Sequence, residues 1–406
     1  MPMTSTEAVS VVIMIRAGSR YETRSINGIA HFLEHMFFKG GQRYPTPRSV
    51  AEAIDAVGGV FNAFTDDEFV GYFVKVEKEK IEVAFDVLSD MLLNARFDPD
   101  GLERERGVIL EEYNMYQDTP SRKIWDIFER LLVGDHPLGW PTIGRPEVIK
   151  QVKRQDFLDY RARLYTPSNV VVAVAGNTTM AKVEQLVKKY LPYPKAGKKN
   201  SPLPLTATSP RKKLQVVYKK TEQAHLVLGV PTFGGNHPDR YTAKVLAAVL
   251  GGGMSSRLFA SVRERHGLAY YVRAMSANYT DTGYLVASAG VDVKRIDLAI
   301  KTILNEFREI SRSPVPPKEL AKAKEYLVGG LVLDMEDSSE VAFSFGIQEL
   351  LYQKTESIDS IRRKVKQVTA AQVLRLAKKI FKDGRLCLAV IGPYRDGVRI
   401  KKTFKL

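Results

Sequence analysis

The sequence predicts an α+β protein made of two similar halves, each with a mostly antiparallel sheet and helices packed on one face. Its 406 residues are enough for two ordinary domains, each with its own core. The order of strand-like and helix-like segments in the first half recurs in the second, which indicates a duplicated domain. Within each half, strands come in adjacent groups and helices follow in groups, which is typical of α+β layers.

The repeat can be followed element by element. The strand AVSVVIMIRAG at 8–18 corresponds to AHLVLGVPTFG at 224–234, and a helical segment follows each. A strand pair with an amphipathic helix behind it comes next, at 58–92 and again at 271–307. The two halves therefore open with the same strands and helices in the same order.

Each half continues with a charged helix, a further helix, and a helix that runs into a buried strand. These segments lie at 102–116, 121–132 and 154–177 in the first half and at 319–333, 340–351 and 370–393 in the second.

The boundary between the halves is predicted from composition. A stretch rich in Pro, Ser and Lys at 195–213 has the character of a linker, so the predicted domains are 1–200 and 201–406. The second half has an additional strand at 213–220, before the strand that matches the first one of the chain. The first sheet is therefore expected to lack an edge strand, unless the sequence starts late.

Composition and charge exclude several classes of protein. With 44% hydrophobic and 26% charged residues, the chain has a globular, soluble composition. The apolar run at 9–15 is too short to span a bilayer and has no charged leader, so we expect a strand there, no membrane partner and a cytoplasmic location. The single cysteine, Cys387, cannot form an internal disulfide and is expected to be a packed thiol.

The net charge of +15 raises the question of a nucleic-acid partner. Along the predicted helices, however, Lys and Arg alternate with Asp and Glu, which is typical of solvated helix faces. We therefore expect no nucleic-acid partner.

The segment GIAHFLEHMFFKG at 28–40 is the first candidate for chemistry. On a helix, His31, Glu34 and His35 fall on one face, opposite an apolar face. Histidines four residues apart can direct both imidazoles at one ion, and HxxEH is the inverse of the HExxH zinc helix. The alternative at this point is a pair of helix histidines without a metal.

A catalytic zinc site needs a third protein ligand, and the helix at 102–116 offers two candidates. Glu105 and Glu112 fall on its otherwise apolar stripe, with Val108 and Met115, and we expect this stripe to face the core. A buried carboxylate is unfavourable unless it is paired or bound to a cation. Either a metal or a buried ion pair would explain these glutamates.

Several stretches of the sequence match known signatures when they are taken together. They are HFLEHMFFKG, GGVFNAFTDDE, ERERGVILEE, HPLGWPTIG and GGGMSSRLFASVRERHGLAYYV. In this order they resemble the pitrilysin and insulinase-like zinc peptidases, in the branch of the mitochondrial processing peptidase beta subunit and bacterial processing-protease-like homologues. The resemblance covers essentially the whole chain and implies a LuxS/MPP-like metallohydrolase fold in each half.

The resemblance implies a role for each candidate residue. His31, His35 and Glu112 would bind one Zn²⁺ per chain, and Glu105 would support a zinc-ligating histidine. Glu34 would be the general base that activates a zinc-polarised water for attack on a peptide carbonyl. Arg263 and Tyr270, from the second half, would stabilise the oxyanion and so complete the active site. Without the resemblance, neither of these two residues would be chosen.

The substrate and the partners are also implied. The alternating, glycine-led stretch at 58–76 predicts an edge strand, which can hold an extended peptide by strand addition. Asn62 and Ala63 are the candidate contacts there. In this family four homologous domains form a closed chamber, so a chain with two domains implies a homodimer that hydrolyses peptides or unstructured segments. The alternative is a catalytically inactive scaffold or partner subunit of the same fold.

Overall fold

The computed structural model describes residues 1–192, 197–205 and 213–405. The strands are β1 (Ala8–Ile15), β2 (Val60–Thr65), β3 (Val70–Glu77), β4 (Val170–Gly176), β5 (Lys213–Tyr218), β6 (Gln223–Pro231), β7 (Ala269–Asn278), β8 (Gly283–Asp292) and β9 (Cys387–Gly392).

The helices lie between and after these strands, mostly in groups. They are α1 (Ile29–Phe37), α2 (Pro47–Asp55), α3 (Ile81–Leu93), α4 (Pro99–Asp118), α5 (Pro120–Val133), α6 (Pro146–Ile149), α7 (Arg154–Leu164), α8 (Met180–Tyr190), α9 (Arg240–Gly251), α10 (Ile296–Ile310), α11 (Pro317–Asp334), α12 (Ser338–Tyr352), α13 (Ile358–Gln367), α14 (Ala370–Ile380) and α15 (Val398–Thr403). A π-helix spans Phe259–Arg265.

The chain folds into two compact units, and each unit includes a segment from the other half of the sequence. The first unit comprises 1–115, 140–203 and 333–356. The second comprises the described residues of 116–139, 204–332 and 357–406. The units therefore meet in sequence near residue 203, close to the predicted boundary, but they do not coincide with 1–200 and 201–406. The predicted linker at 195–213 lies partly outside the described residues.

The first sheet has the strand order β2-β3-β1-β4 and is antiparallel throughout. Alternate residues of β1 belong to two different cores: Val11 and Ile13 pack in the large core with α1 and α3. Val12 and Met14 pack on the opposite face with Val341 and neighbouring residues of α12. Burial on both faces explains why β1 is almost continuously apolar.

The second sheet has the order β5-β9-β6-β8-β7 and is antiparallel except for the parallel pair β5 and β9. Helices α9, α10 and α14 contribute to the large core on one face. On the other face, helix α5 packs against residues of β6, β8 and β9. The second unit thus repeats the arrangement of the first.

The predicted fold class is confirmed, with one addition. Helices pack in a layer on one face of each mostly antiparallel sheet, as expected, but a single helix from the other half of the chain covers the opposite face. In the second unit, β5 pairs in parallel with β9 at the edge of the sheet. At the corresponding edge, the described residues of the first unit have an isolated parallel bridge between Pro2 and Gly176.

None of the described helices combines the length and the apolar character that a membrane span requires.

Candidate metal centre

Helix α1 carries HxxEH, and its start depends on a glycine. Gly28 precedes the helix with φ of 97°, in the left-handed region that suits glycine. A Cβ at Gly28 would also come within 2.5 Å of Gly144 Cα. From this start, Ile29, Phe32 and Phe37 enter the large core, which leaves the histidines at the opposite, half-buried face.

The structure brings His31, His35 and Glu112 together, and one ligand atom from each lies within 4.8 Å of the other two. Nε2 of His31 is 3.6 Å and Nε2 of His35 is 3.5 Å from Oε2 of Glu112. These separations are too long for good hydrogen bonds. They are close to the roughly 3.3 Å edge of a tetrahedron formed by zinc–ligand bonds of about 2.0 to 2.1 Å.

His31 itself fits a zinc ligand. Its Nε2 faces Glu112, and its other ring nitrogen, Nδ1, is buried without a hydrogen-bond partner among the described residues. Burial, and then the neighbouring His35, lower the pKa of His31 to about 3, so its imidazole is neutral and can offer a lone pair. A half-buried imidazole that makes no close hydrogen bond to Glu112 is well suited to bind a cation there instead. The residues present therefore fit Zn²⁺.

Glu105 lies behind His35. His35 Nδ1 donates to Glu105 Oε1 at 2.8 Å, and Lys39 Nζ lies 2.5 Å from Glu105 Oε2. Burial tends to raise the pKa of Glu105, but the hydrogen bonds from His35 and Lys39 outweigh it and lower the pKa. Glu105 is thus held as a carboxylate that fixes the ring of His35 with Nε2 toward Glu112.

Glu34 lies between the histidines in sequence and is buried on α1. The Thr65 hydroxyl, at the end of β2, donates a short hydrogen bond to Glu34 Oε2. Burial raises the pKa of Glu34, and the nearby Glu112 raises it further, against the opposing effects of Thr65 and His35. A carboxyl with a raised pKa beside a candidate metal site has the character of a general base.

The expected burial of the α4 stripe is wrong in part. Glu105 and Ile109 are buried, but Val108 and Met115 are about half exposed, at 50% and 51%. Glu112 is partly buried. This face of α4 is therefore only partly core. It still places Glu105 and Glu112 beside the histidines, and its more exposed part borders the candidate metal centre.

Asn62 and Ala63 lie on β2, which is confirmed as an edge strand of the first sheet. The Ala63 N–H donates to the Asn62 side-chain oxygen at 2.9 Å, and we infer that it points away from β3. Among the described residues, no strand pairs with that side of β2. An extended peptide could pair there, next to the strand end that carries Thr65.

Arg263 and Tyr270 are both in the second unit, on irregular backbone. Arg263 belongs to the π-helix, and π-helical turns are frequent at functional sites. Tyr270 lies at a register shift between Ala269 and Tyr271, where β7 pairs with β8, and its side chain is 75% exposed. The Arg263 guanidinium lies 5.6 Å from the centre of the Tyr270 ring and 4.9 Å from that of Phe259. The structure therefore brings the two predicted residues close to each other.

Thr65 and Lys39 were not predicted as site residues from the sequence. Thr65 shares the side-chain parity of Phe61 and Ala63, which pack toward the core that contains α1, so the period of two could have indicated it. Lys39 follows His35 by four residues, a spacing that places both side chains on the same side of a helix end. Nothing in the residue types alone indicated that either would contact a glutamate of the site.

Comparisons with known proteins identify the family to which the chain is similar. A model of the insulinase family, peptidase family M16, matches residues 2–144, and a model described as the peptidase M16 inactive domain matches residues 151–327. An uncharacterized zinc protease of Bacillus subtilis is 37% identical over 95% of this chain and 93% of its own length. One of Mycobacterium leprae is 35% identical over 100% of this chain and 91% of its own length.

The fold is similar to that of solved structures. The crystal structure of a protease from Helicobacter pylori superposes with a TM-score of 0.89 at 23% identity, over 97% of this chain and 96% of that one. At that identity, the likeness concerns the fold.

Proposed function

The chain belongs to the insulinase family, peptidase family M16, and we propose on this premise that it is a zinc endopeptidase for peptides or unstructured segments. One observation supports this above all others: a candidate three-ligand site, His31, His35 and Glu112, lies beside the carboxyl of Glu34. Relatives named zinc proteases support the metal and the reaction class. One Zn²⁺ per chain and a homodimer are part of the proposal.

Each residue of the site has a distinct task in this proposal. His31, His35 and Glu112 would hold Zn²⁺, which supplies Lewis acidity toward a water and a peptide carbonyl. Glu34 accepts the proton of the attacking water and then returns it to the leaving amine. The Thr65 hydroxyl keeps the Glu34 carboxyl in one orientation, and Glu105 does the same for the ring of His35.

Substrate would bind along β2. The Ala63 N–H can exchange its bond to the Asn62 side chain for one to a substrate carbonyl. Because such pairing uses main-chain groups, it tolerates many side chains and requires an extended segment. Arg263 and Tyr270 are proposed as hydrogen-bond donors to the developing oxyanion.

The test compares zinc content and hydrolysis of a quenched peptide in the wild type and in Glu34→Gln. We expect one zinc per chain in both proteins and loss of nearly all activity in the variant. Glu111→Gln is the matched control, because Glu111 is an exposed glutamate of α4, next to the candidate ligand. Equal activity in the wild type and in Glu34→Gln would reject the mechanism.

A non-catalytic subunit of the same fold is the second candidate. One observation favours it, the match to a model described as an inactive domain. That match covers 151–327 and does not include α1 or α4. If a zinc-loaded wild type hydrolyses no peptide from a varied library, this second function replaces the first.

A further inference from the structure

Glu22 is a buried acid that the proposed reaction does not use. Its side chain lies in the segment before α1, and the residue is only 4% exposed. Oε2 accepts hydrogen bonds from the Gly28 N–H at 2.8 Å and the Asn27 side-chain amide at 2.9 Å. Oε1 accepts one from the Ala30 N–H at 2.8 Å. Both carboxyl oxygens thus receive donors from the start of the helix that carries HxxEH.

This contact replaces an ordinary helix cap. The N-cap position of α1 is Gly28, which has no side chain to accept a hydrogen bond from the first turn. The Glu22 carboxyl takes over this function from six residues upstream, and its negative charge interacts favourably with the helix dipole. Since α1 has nine residues, it depends on such tertiary contacts more than on intrinsic helix stability.

Burial of this carboxyl is costly. Burial raises the pKa of Glu22, while the hydrogen bonds from Ala30, Gly28 and Asn27 act to lower it because they stabilise the carboxylate. Every contact named above is a donor directed at the carboxyl, so the pocket is shaped for the carboxylate form. An amide at this position would direct an N–H group at another N–H group.

The backbone that Glu22 holds, at the start of α1, is next to the candidate metal ligands. Ala30, whose N–H is bound by Glu22, immediately precedes His31, and His35 follows one helical turn later. A rotation or a shift of the first turn would therefore move both imidazoles relative to Glu112, which is on a different helix. Metal ligands need placement within about 0.5 Å for productive geometry.

We propose that Glu22 is a positioning residue: its carboxylate fixes the first turn of α1 so that His31 and His35 meet Glu112 at zinc-binding distances. The inference rests on the proposed zinc site. It assigns to Glu22 an effect on metal affinity and on turnover that a buried carboxylate in contact with neither α1 nor the candidate site does not have.

The chain offers a closely matched control for a purely structural role. Asp90 is fully buried and accepts hydrogen bonds from the backbone N–H groups of Arg43 and Tyr44 and from the side-chain amide of Asn94. Like Glu22, it is a buried carboxylate that accepts hydrogen bonds from backbone N–H groups, but the backbone that it holds is a loop and not α1, and the Arg43 guanidinium lies 3.9 Å from it. Asp90→Asn should therefore lower stability without changing zinc affinity.

The experiment measures zinc dissociation by chelator competition in the wild type, Glu22→Gln and Asp90→Asn. For Glu22→Gln we expect zinc affinity to fall roughly 10- to 100-fold, as for partners of metal ligands in general, and kcat to fall with little change in KM. In the metal-free protein, amide hydrogen exchange in peptides covering 28–38 should be faster in Glu22→Gln than in the wild type. Asp90→Asn should match the wild type in all three measurements.

Glu22→Asp provides a second variant if the amide impairs folding. It keeps the charge but is one methylene shorter, so it cannot hold both Gly28 and Ala30, and we expect a smaller loss of zinc affinity. Zinc affinity and exchange like those of the wild type in the folded Glu22 variants would overturn the inference. A wild type that binds no zinc would instead reject the proposed function itself.

Discussion

At the residue scale, Thr65 is the contact that most directly affects the proposed base. Its hydroxyl donates to Glu34, and it reaches α1 because alternate residues of β2 point to the same face. Thr65→Val keeps the shape of the side chain but leaves a buried carboxyl oxygen without this donor. We expect kcat to fall roughly 5- to 30-fold, which corresponds to about 1 to 2 kcal/mol, with KM little changed.

Thr65→Ser is the control, since it keeps the hydroxyl and should retain most of the activity. Steady-state kinetics of both variants with a quenched peptide provide the measurement. A serine variant as slow as the valine variant would show that the methyl group, and not the hydrogen bond, is responsible.

The residues that could be predicted are those with a fixed spacing on one helix. His31, Glu34 and His35 follow from the period of 3.6, whereas the second helix offered both Glu105 and Glu112, and only the resemblance to the family selected Glu112 as the ligand. Thr65 and Glu22 could not be found from helix periodicity. Thr65 contacts Glu34, which lies 31 residues away on a different element. The partners of Glu22 lie 5 to 8 residues further along the chain, and Glu22 is not on the same helix. Contacts of that kind are set by tertiary packing.

At the element scale, β2 determines how a substrate could bind. The prediction of an edge strand from its glycine-led, alternating sequence is confirmed. For α4, the same method placed the glutamates correctly on one face but overestimated the burial of Val108 and Met115. Periodicity gives the face of a helix, but not whether the neighbouring surface is core or an open site.

Ala63→Pro tests the open side of β2. The proline removes the N–H that points away from β3, so the strand pair should remain while one main-chain bond to substrate is lost. We expect kcat/KM to fall roughly 3- to 10-fold, mostly through KM. Asn62→Ala frees the same N–H, so a fall in kcat/KM in that variant would measure a separate contact of the Asn62 side chain with substrate. An unchanged kcat/KM in a folded Ala63→Pro variant would exclude this strand from substrate pairing.

At the scale of the whole molecule, the sequence predicted the duplication but not the helix exchange, in which the second face of each sheet is covered by a helix from the other half of the chain. The counterparts α5 and α12 were recognised as matching elements, yet α12 packs on the first sheet and α5 on the second. The apolar side chains of each helix can cover either of two similar sheets, so the sequence pattern could not assign them. Gly346 of α12 shows how closely this helix fits: a Cβ there would lie 2.9 Å from Met14 Sδ.

Cys387 is a native reporter for the helix exchange, because its thiol can be alkylated without introducing another cysteine. It is the single cysteine of the chain, buried on β9 in the cluster that includes Phe128 of α5. Burial raises the pKa of its thiol to about 11, so alkylation near pH 8 should be very slow in the native protein. The fragment 205–406 lacks α5, and we expect its cysteine to react quickly.

Fragments 1–204 and 205–406 should each be unstable alone, because each lacks the helix that covers the second face of its sheet. For the first sheet this exposes Val12, Met14, Phe69 and Ala175, at a cost of roughly 5 to 8 kcal/mol, which is comparable to the whole stability of an ordinary domain. Mixing or co-expressing the fragments should restore slow alkylation of Cys387, since α5 is then supplied by the first fragment. A fragment 205–406 that unfolds cooperatively and protects its cysteine alone would contradict the exchange, because α5 would then be unnecessary for covering β9.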